Sequence, residues 1–209
     1  MTTWDNIYKN YQKGGDAWAT LKEELLPRFI NFIENNKFKS KNALDIGCGT
    51  GKYLTYLKEL GFTVEGIDSS ETAIDMTREG LRDNSKLNCV NMFDYEISID
   101  KHDLIFSLST IHHGLKKDVI ALINKIYDKL IVGGHVFITL PDLESSKKWN
   151  TFKNNKEIEP GTYTPMSGPE KGLAHSFFSK EEIEKIFSNF NNLKLELDEI
   201  GRWNIIAIK

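Results

Sequence analysis

A glycine-rich turn between a strand pattern and a helix pattern constrains the fold of this chain more than any other feature. The apolar segment 43–46 runs into Gly47, Gly49 and Gly51, and a helix with apolar residues on one face follows. Glycine adopts positive φ angles at no steric cost and lets a ligand approach the backbone closely. The N–H groups at the start of the helix are free to bind that ligand. The pattern therefore predicts a cofactor-binding loop inside an α/β domain.

The same alternation of strand and helix continues along the chain. Apolar runs predict further strands at 63–67, 87–90, 103–108 and 135–140. Amphipathic spacing predicts helices over 70–82 and 115–130 between them, which favours a parallel sheet covered on both faces. Two final strands, 193–200 and 203–209, flank Gly201 and predict an antiparallel hairpin at one edge. The expected fold class is α/β, a Rossmann-like, doubly wound, mostly parallel seven-stranded sheet with that C-terminal hairpin.

The composition is that of a globular chain and excludes several classes of protein. With 209 residues, 40% of them hydrophobic, the chain can bury a core as one domain, 1–209. The net charge of −3 is spread along the sequence, so neither a nucleic-acid groove nor a membrane-binding patch is expected. No apolar run approaches the length of a membrane span, about 20 residues, and the N-terminus lacks the hydrophobic core of a secretory signal. We expect a cytoplasmic protein, either a monomer or a homodimer.

Two segments stand outside the alternation and are expected to cover the site. Residues 1–40 carry aromatic side chains and an amphipathic pattern over 17–36, which Pro27 should kink or divide. Residues 141–178 contain four of the five prolines and show no clean periodicity. A loop-rich insertion of this length is often a lid or a binding segment. The other interpretation is a surface connection with no part in binding.

The spacing of the glycines and a later acid separate two classes of cofactor. A dinucleotide fingerprint G-x-G-x-x-G would need glycine at position 52, where this chain has Lys52. The strand at 63–67 leads into Asp68, 17 residues after Gly51. A carboxylate at that strand end can accept hydrogen bonds from both hydroxyls of an adenosine ribose. The alternative is that Asp68 only caps the helix over 70–82.

At these residues the sequence resembles the class I S-adenosylmethionine-dependent methyltransferases. The resemblance is specific at Leu44–Gly51 and runs from about residue 40 to residue 140. It implies S-adenosylmethionine as the cofactor, with the loop backbone against its methionine and ribose. Asp45 would hold the loop or reach the amino group, Asp68 would bind the ribose, and Ser69 would lie beside the adenine. The cofactor-binding residues implied here are Asp45, Gly47, Cys48, Gly49, Gly51, Asp68 and Ser69.

The resemblance also covers the ends of two later strands. Asn91, Met92 and Phe93 stand where the family often has an acid followed by an apolar residue, which implies contacts with the adenine. Asp94 is a rival for the acid position. Ser107, at the end of the strand over 103–108, would lie beside the methionine part of the cofactor.

The sequence predicts no metal site. His112 and His113 are adjacent, so their side chains should point apart, and no other ligands cluster near them in the sequence. Cys48 and Cys89 have neither metal spacing nor a partner cluster, so a disulfide is also not expected.

The residues that bind the methyl acceptor leave a weaker sequence pattern than those that bind the cofactor. The reason is that methyl transfer from a sulfonium needs alignment and exclusion of water more than a fixed catalytic group. No catalytic residue is assigned. The expected substrate contacts are Tyr11, Trp18, His112 and His175. We expect transfer to a small-molecule acceptor, with S-adenosylhomocysteine as co-product. The alternatives are a protein or nucleic-acid acceptor, a nicotinamide dehydrogenase, and a non-catalytic regulator that binds S-adenosylmethionine.

Overall fold

The structure is a computed structural model that describes residues 3–14, 24–148 and 150–209. Its strands are β1 Asn42–Ile46, β2 Thr63–Asp68, β3 Lys86–Cys89, β4 Leu104–Ser107, β5 His135–Pro141, β6 Asn155–Glu159, β7 Thr162–Pro165, β8 His175–Ser176, β9 Asn191–Leu197 and β10 Arg202–Ile208. Its α-helices are α1 Thr3–Gln12, α2 Pro27–Asn35, α3 Lys52–Glu59, α4 Glu71–Leu81, α5 Lys116–Lys129, α6 Leu143–Ser146 and α7 Lys180–Ile186. A 3-10 helix covers Asn150–Asn154. Within the described residues, no helix is both long and apolar enough to cross a membrane.

Seven strands form one sheet in the order β3-β2-β1-β4-β5-β10-β9. The first five run parallel to their neighbours, whereas β10 runs antiparallel to β5 and to β9. The mostly parallel seven-stranded sheet and its C-terminal hairpin are therefore confirmed. The strand order reverses between β1 and β4. Open α/β sheets bind ligands at such a switch point, beyond the carboxyl ends of the strands.

Helices cover both faces of the sheet because its central strands are apolar on both sides. β4 and β5 are buried over their whole length. On one face, α2, α3 and α4 contribute Phe29, Leu54 and Ile74 to one apolar cluster. On the other face, α5 and α7 contribute Val119 and Ile183 to a second cluster. Burial of apolar surface, worth about 25 cal/mol per Å², makes these clusters the main source of stability.

The helix α2 begins at Pro27, in the first turn, where the missing N–H of proline has no cost. Residues 24–26 are not helical. Pro27 therefore starts a helix, as expected if this residue divides the helical pattern over 17–36. The earlier part of the predicted helix, residues 17–23, lies outside the described residues.

The segment 141–178 differs from the loop-rich insertion that the sequence predicts. It forms α6, the 3-10 helix and a separate antiparallel sheet in the order β6-β7-β8. Between β6 and β7 the chain turns at Pro160 and Gly161, and Gly161 has a φ of 75°. The residues of β6 are Asn-Lys-Glu-Ile-Glu, with one apolar side chain. The prediction was wrong because such short, polar strands lack the alternation that reveals a half-buried strand.

A capping box starts the helix α7. The Ser179 hydroxyl accepts a hydrogen bond from the Glu182 N–H, and the Glu182 carboxylate accepts one from the Ser179 N–H. Glu182 also forms an ion pair with Lys116 at 2.5 Å, which joins α7 to the start of α5.

The carboxylate of Glu65 on β2 is a buried hub of hydrogen bonds. It accepts from Lys86, Lys101 and Tyr95 and contacts the His102 ring nitrogen at 3.2 Å. Its side chain is only 3% exposed. Burial alone would raise the pKa of this carboxyl, but the hydrogen bonds hold the pKa well below its usual range. The charged form is therefore the one that the fold stabilises.

Replacement of Glu65 by glutamine should lower the free energy of unfolding by about 1–3 kcal/mol, because the amide loses the charge that these donors stabilise. Urea denaturation at pH 7 measures the change. The control is Glu96→Gln, since Glu96 forms an exposed pair with Lys125 that contributes little. Equal losses of stability in the two variants would contradict this role of Glu65.

Candidate functional site

A cavity of about 1010 Å³ lies at the carboxyl ends of β1, β2, β4 and β5. The helix α1, the small sheet β6-β7-β8 and the start of β10 contribute its other walls. The cavity brings together most of the residues that the sequence predicts for the cofactor. These are Asp45, Gly47, Cys48, Gly49, Asp68, Ser69, Asn91, Met92 and Phe93. Two predicted substrate contacts, His112 and His175, also line it, whereas Trp18 lies outside the described residues.

Three other predicted site residues lie behind the cavity wall. Gly51, with a φ of 76°, is the N-cap of α3. The Ser107 hydroxyl is buried and donates a hydrogen bond to the Ile46 carbonyl at 2.8 Å, which ties β4 to β1. Tyr11 packs against the cluster of Tyr8 and Ala73, where α1 contacts α4. Each supports the frame of the cavity without forming its surface.

Backbone hydrogen bonds to β2 hold the glycine turn in shape. Gly47 and Cys48 both donate N–H groups to the Ile67 carbonyl, at 2.8 and 2.9 Å. Gly47 and Gly49 have φ angles of 85° and 56°, which disfavour any residue with a Cβ. A Cβ at Gly47 would lie 2.1 Å from the Thr110 side chain. The turn therefore requires glycine for its backbone shape and for its close packing.

Asp68 joins the glycine turn to the start of α4. One carboxylate oxygen accepts from the Gly49 N–H at 3.0 Å and the other from the Ser70 N–H at 2.9 Å. The N-cap of α4 is Ser70, whose hydroxyl accepts from the Ala73 N–H. The alternative role of Asp68 as that N-cap is therefore excluded. A carboxylate oxygen accepts more than one hydrogen bond, so Asp68 keeps acceptor capacity toward the cavity.

Two buried carboxyl groups make the glycine turn electronegative when they are ionised. Burial raises the pKa of Asp68, although hydrogen bonds from Ser70 and Gly49 oppose the shift. Burial and the nearby Asp68 raise the pKa of Asp45 well above its usual range, and Lys52 only partly offsets this. A cationic ligand would relieve this repulsion, whereas the pyrophosphate of a dinucleotide would add to it. The electrostatics therefore fit a sulfonium cofactor.

The helix α1 lies over the glycine turn because Asp5 anchors it to α4. The Asp5 carboxylate accepts hydrogen bonds from the hydroxyls of Ser70 and Thr72 and from the Thr72 N–H, at 2.8–3.1 Å. These contacts and a salt bridge to Lys9 hold the pKa of Asp5 well below its usual range. The anchored helix places the Tyr8 hydroxyl only 2.7 Å from the position of a Cβ on Gly49. Tyr8 is thus a buried part of the wall.

The segment after β3 contributes a more exposed wall. The Asn91 side-chain oxygen accepts a hydrogen bond from the Phe93 N–H at 3.0 Å, which closes a local turn. Met92 and Phe93 are half-buried and line the cavity. Asp94, the rival for the acid position, is not among the lining residues. The geometry therefore favours the alignment that uses Asn91.

Three histidines from two segments also meet at the wall of the cavity. The ring centroid of His113 lies 4.0 Å from that of His112 and 4.7 Å from that of His175. The His113 Nδ1 lies 2.8 Å from the Thr110 carbonyl, so Nδ1 carries the proton and Nε2 is left as an acceptor. Burial lowers the pKa of His113 to about 3, with a contribution from His175, and lowers that of His175 to about 4. All these imidazoles are neutral at pH 7.

Glu170, which the sequence analysis missed, lies next to this histidine group. Its carboxylate is 3.4 Å from His175 Nε2. The potential ligand atoms of His113, Glu170 and His175 lie within 4.8 Å of one another. Ligand atoms of a tetrahedral zinc site would be about 3.3 Å apart, given bonds of about 2.0 Å. The group is therefore more open than a formed metal centre, and the absence of a metal stays a prediction.

Arg202 is the second functional candidate that the sequence analysis missed. It starts β10 opposite Pro141 of β5 and lines the cavity with the histidines. Its guanidinium donates a hydrogen bond to the Ser109 hydroxyl. A single arginine after the Gly201 turn carries no pattern of its own. Only the pairing of β10 with β5 shows that it faces the site.

The fold and the electronegative glycine turn define an S-adenosylmethionine-dependent α/β transferase domain. The family model of the methyltransferase domain matches residues 17–195. The chain belongs to this methyltransferase domain family, whose cofactor is S-adenosylmethionine.

The similar proteins have acceptors of different kinds. The chain is 25% identical over 185 residues to the probable tRNA methyltransferase 9B of Bos taurus, covering 81% of this chain and 40% of that protein. It is 30% identical over 152 residues to the ribosomal protein L11 methyltransferase of Thermotoga neapolitana, covering 69% and 57%. It thus spans about half the length of these relatives. The crystal structure of 1,6-didemethyltoxoflavin-N1-methyltransferase from Burkholderia thailandensis superposes with a TM-score of 0.68 at 14% identity, covering 99% of this chain and 86% of that one. This last likeness shows the fold alone.

Replacement of Asp5 by alanine should weaken the binding of S-adenosylhomocysteine about 5- to 30-fold, because the anchor of α1 loses about 1–2 kcal/mol of hydrogen bonding. Isothermal titration calorimetry measures the dissociation constant. Asp75→Ala is the matched control, since Asp75 is an exposed carboxylate on α4 that pairs with Arg78. An unchanged affinity in folded Asp5→Ala protein would show that α1 does not cover the cofactor.

Proposed function

We propose that this domain transfers the methyl group of S-adenosylmethionine to a small-molecule acceptor held between the histidine group and Arg202. The observation that carries the proposal is the continuity of one cavity from the glycine turn to His113, His175 and Arg202. A donor and an acceptor bound at its two sides would share a single enclosed space. Methyl transfer is an in-line displacement, so this arrangement supplies the alignment that the reaction needs.

The residues at the glycine turn fit the cofactor by shape and by charge. The glycine backbone would hold the methionine and ribose, the Asp68 carboxylate would accept from the ribose hydroxyls, and Asp45 would face the positive end. Asn91, Met92 and Phe93 would contact the adenine. Bound there, the cofactor supplies a methyl group that is already activated by a positively charged sulfur.

The protein's own part in the reaction is to orient the acceptor, exclude water and, where needed, accept a proton. The helix α1 and the small sheet would keep water from the reacting atoms, in the role of the cover that the sequence predicts. The Nε2 of His113 is an unprotonated acceptor at neutral pH because of the Thr110 contact. An acceptor that must lose a proton could give it to His113 or to His175.

The shape of the cavity favours a small acceptor over a macromolecule. Phe152 of the 3-10 helix and Phe177, which follows β8, line the cavity together with residues of the small sheet, which leaves less room for a protein chain or a folded RNA. Two relatives are named for tRNA and for a ribosomal protein, and the third is named for a small heterocycle. Acceptors of the first two kinds are therefore the alternatives that an experiment must separate.

A screen for release of S-adenosylhomocysteine tests the acceptor directly. We expect turnover on members of a panel of small phenols, amines, thiols, carboxylic acids and heterocycles, and none on bulk tRNA or ribosomal protein. Release with tRNA or protein alone would overturn the small-molecule acceptor. Tight binding of S-adenosylmethionine without turnover on any class would instead support a regulator.

Replacement of Asp68 by alanine should weaken S-adenosylmethionine binding by about 1–3 kcal/mol, the cost of lost charge-assisted hydrogen bonds to the ribose. Calorimetry on the folded variant measures the loss. The control is Asp94→Ala, because Asp94 is an exposed carboxylate near Asn91 that does not line the cavity. If Asp68→Ala binds S-adenosylmethionine normally, Asp68 does not bind the ribose. If Asp94→Ala binds more weakly than Asp68→Ala, the acid position at the adenine belongs to Asp94 and not to Asn91.

A further inference from the structure

Arg202 differs from Arg28 and Arg78, which have carboxylate partners, and from Arg82, which is exposed to solvent. Arg28 pairs with Glu196 and Glu199, and Arg78 pairs with Asp75. Arg202 is half-buried on the cavity wall. Among the described residues, no carboxylate lies within ion-pair distance of its guanidinium. Its only side-chain hydrogen bond there is to the neutral hydroxyl of Ser109.

Burial lowers the pKa of Arg202, and Asp198 and Glu170 oppose that shift from beyond ion-pair distance. Asp198 is occupied by the backbone, since its carboxylate accepts from the N–H groups of Ile200 and Arg202 in the hairpin turn. Burial raises the pKa of Glu170 even though Arg202 opposes the shift. The nearby imidazoles are neutral, and Arg202 itself helps to keep the pKa of His175 low. The acceptor side of the cavity is therefore electropositive at Arg202.

We propose that Arg202 is the receptor for an anionic group, a carboxylate or a phosphate, on the methyl acceptor. A buried cation without a partner destabilises a fold, whereas a planar guanidinium binds carboxylates and phosphates through two parallel hydrogen bonds. Ser109 fixes one edge of the guanidinium, and the remaining N–H groups have no acceptor among the described residues. This inference rests on the proposed function, because it names the class of molecule bound on the acceptor side.

The carboxylate of the cofactor's own methionine is the other source of the same chemistry. Arg202 lies close to the glycine turn, because it binds Ser109 and the side chain of the next residue, Thr110, packs on Gly47. Lys52, and not Arg202, is the cation that lowers the pKa of Asp45 at the cofactor loop. We therefore assign Arg202 to the acceptor, and the experiment separates the two sources.

The experiment compares wild-type protein with Arg202→Gln and Arg202→Lys. Calorimetry first measures S-adenosylhomocysteine, for which we expect a change of less than twofold in both variants. Ligand-observed NMR then measures benzoate, phenyl phosphate and the neutral benzamide, with and without saturating S-adenosylhomocysteine. We expect wild-type protein to bind at least one anion at least tenfold more tightly than benzamide. Arg202→Gln should lose that preference, and Arg202→Lys should keep part of it.

Thermal unfolding supplies a readout that does not depend on any ligand. Arg202→Gln should unfold at or above the wild-type temperature, because it removes a half-buried charge that has no ion-pair partner among the described residues. The control Arg28→Gln removes an arginine of α2 that pairs with Glu196 and Glu199, and this variant should not gain stability. A clear drop in the unfolding temperature of Arg202→Gln would show a structural role and overturn the proposal.

Three other outcomes would also overturn the proposal that Arg202 is an anion receptor for the acceptor. A tenfold loss of S-adenosylhomocysteine affinity in Arg202→Gln would place the methionine carboxylate on Arg202. Equal binding of benzoate, phenyl phosphate and benzamide would show that no anion receptor exists. Anion binding that requires added Zn²⁺ and disappears with EDTA would assign the anion to a metal at His113, Glu170 and His175. If wild-type protein binds the anions but not S-adenosylhomocysteine, the proposed function fails while the receptor stands.

Discussion

The site depends on one buried carboxylate. Asp68 accepts the N–H of Gly49 from the cofactor loop and the N–H of Ser70 from the start of α4, so a single side chain fixes two elements in relation to β2. The first turn of α4 then provides Ser70 and Thr72 as the surface on which Asp5 anchors α1. The burial of Asp68 is unfavourable for its charge, and backbone N–H groups offset only part of that cost. The apo protein thus holds electrostatic free energy at this turn that a cationic ligand can relieve.

The parts of the fold that sequence reasoning predicts are those with local causes. Strand and helix positions follow from apolar periodicity, the Gly47–Gly51 turn from positive φ angles, and the start of α7 from a capping box. The sheet β6-β7-β8 escaped prediction because its stability comes from pairing and from position over the cavity. β6 has Ile158 as its single apolar residue, and that side chain is 47% exposed. A strand of this kind has no hydrophobic pattern to detect, although the Pro160-Gly161 turn offers a weak signal of a hairpin.

The cofactor half and the acceptor half of the candidate site also differ in how much of each the sequence reveals. The cofactor half is compact in sequence, since the loop at 45–49 and Asp68 occupy adjacent strand ends, and its residues follow from the glycine spacing, from Asp68 and from the resemblance to the class I methyltransferases. The acceptor half is assembled from α1, the His112–His113 turn, the Glu170–His175 segment and Arg202, which are distant in sequence. Arg202 reaches the cavity only because β10 pairs with β5 in a register that places it opposite Pro141. A shift of one residue would turn its side chain to the other face of the sheet.

The charges at the two sides of the cavity suit the proposed reaction. Asp45 and Asp68 would be ionised beside a cationic donor and would then make the cofactor loop electronegative, whereas Arg202 is the cation on the proposed acceptor side. A cationic donor and an anionic acceptor would each be bound by the opposite charge of the wall and would attract one another across the cavity. The sulfonium loses its charge as the methyl group leaves, so the two carboxylates favour the charged cofactor over the neutral product. Under the proposed function, the same electrostatics that bind the donor would aid product release, and Arg202 with the neutral histidines beside it would align the acceptor.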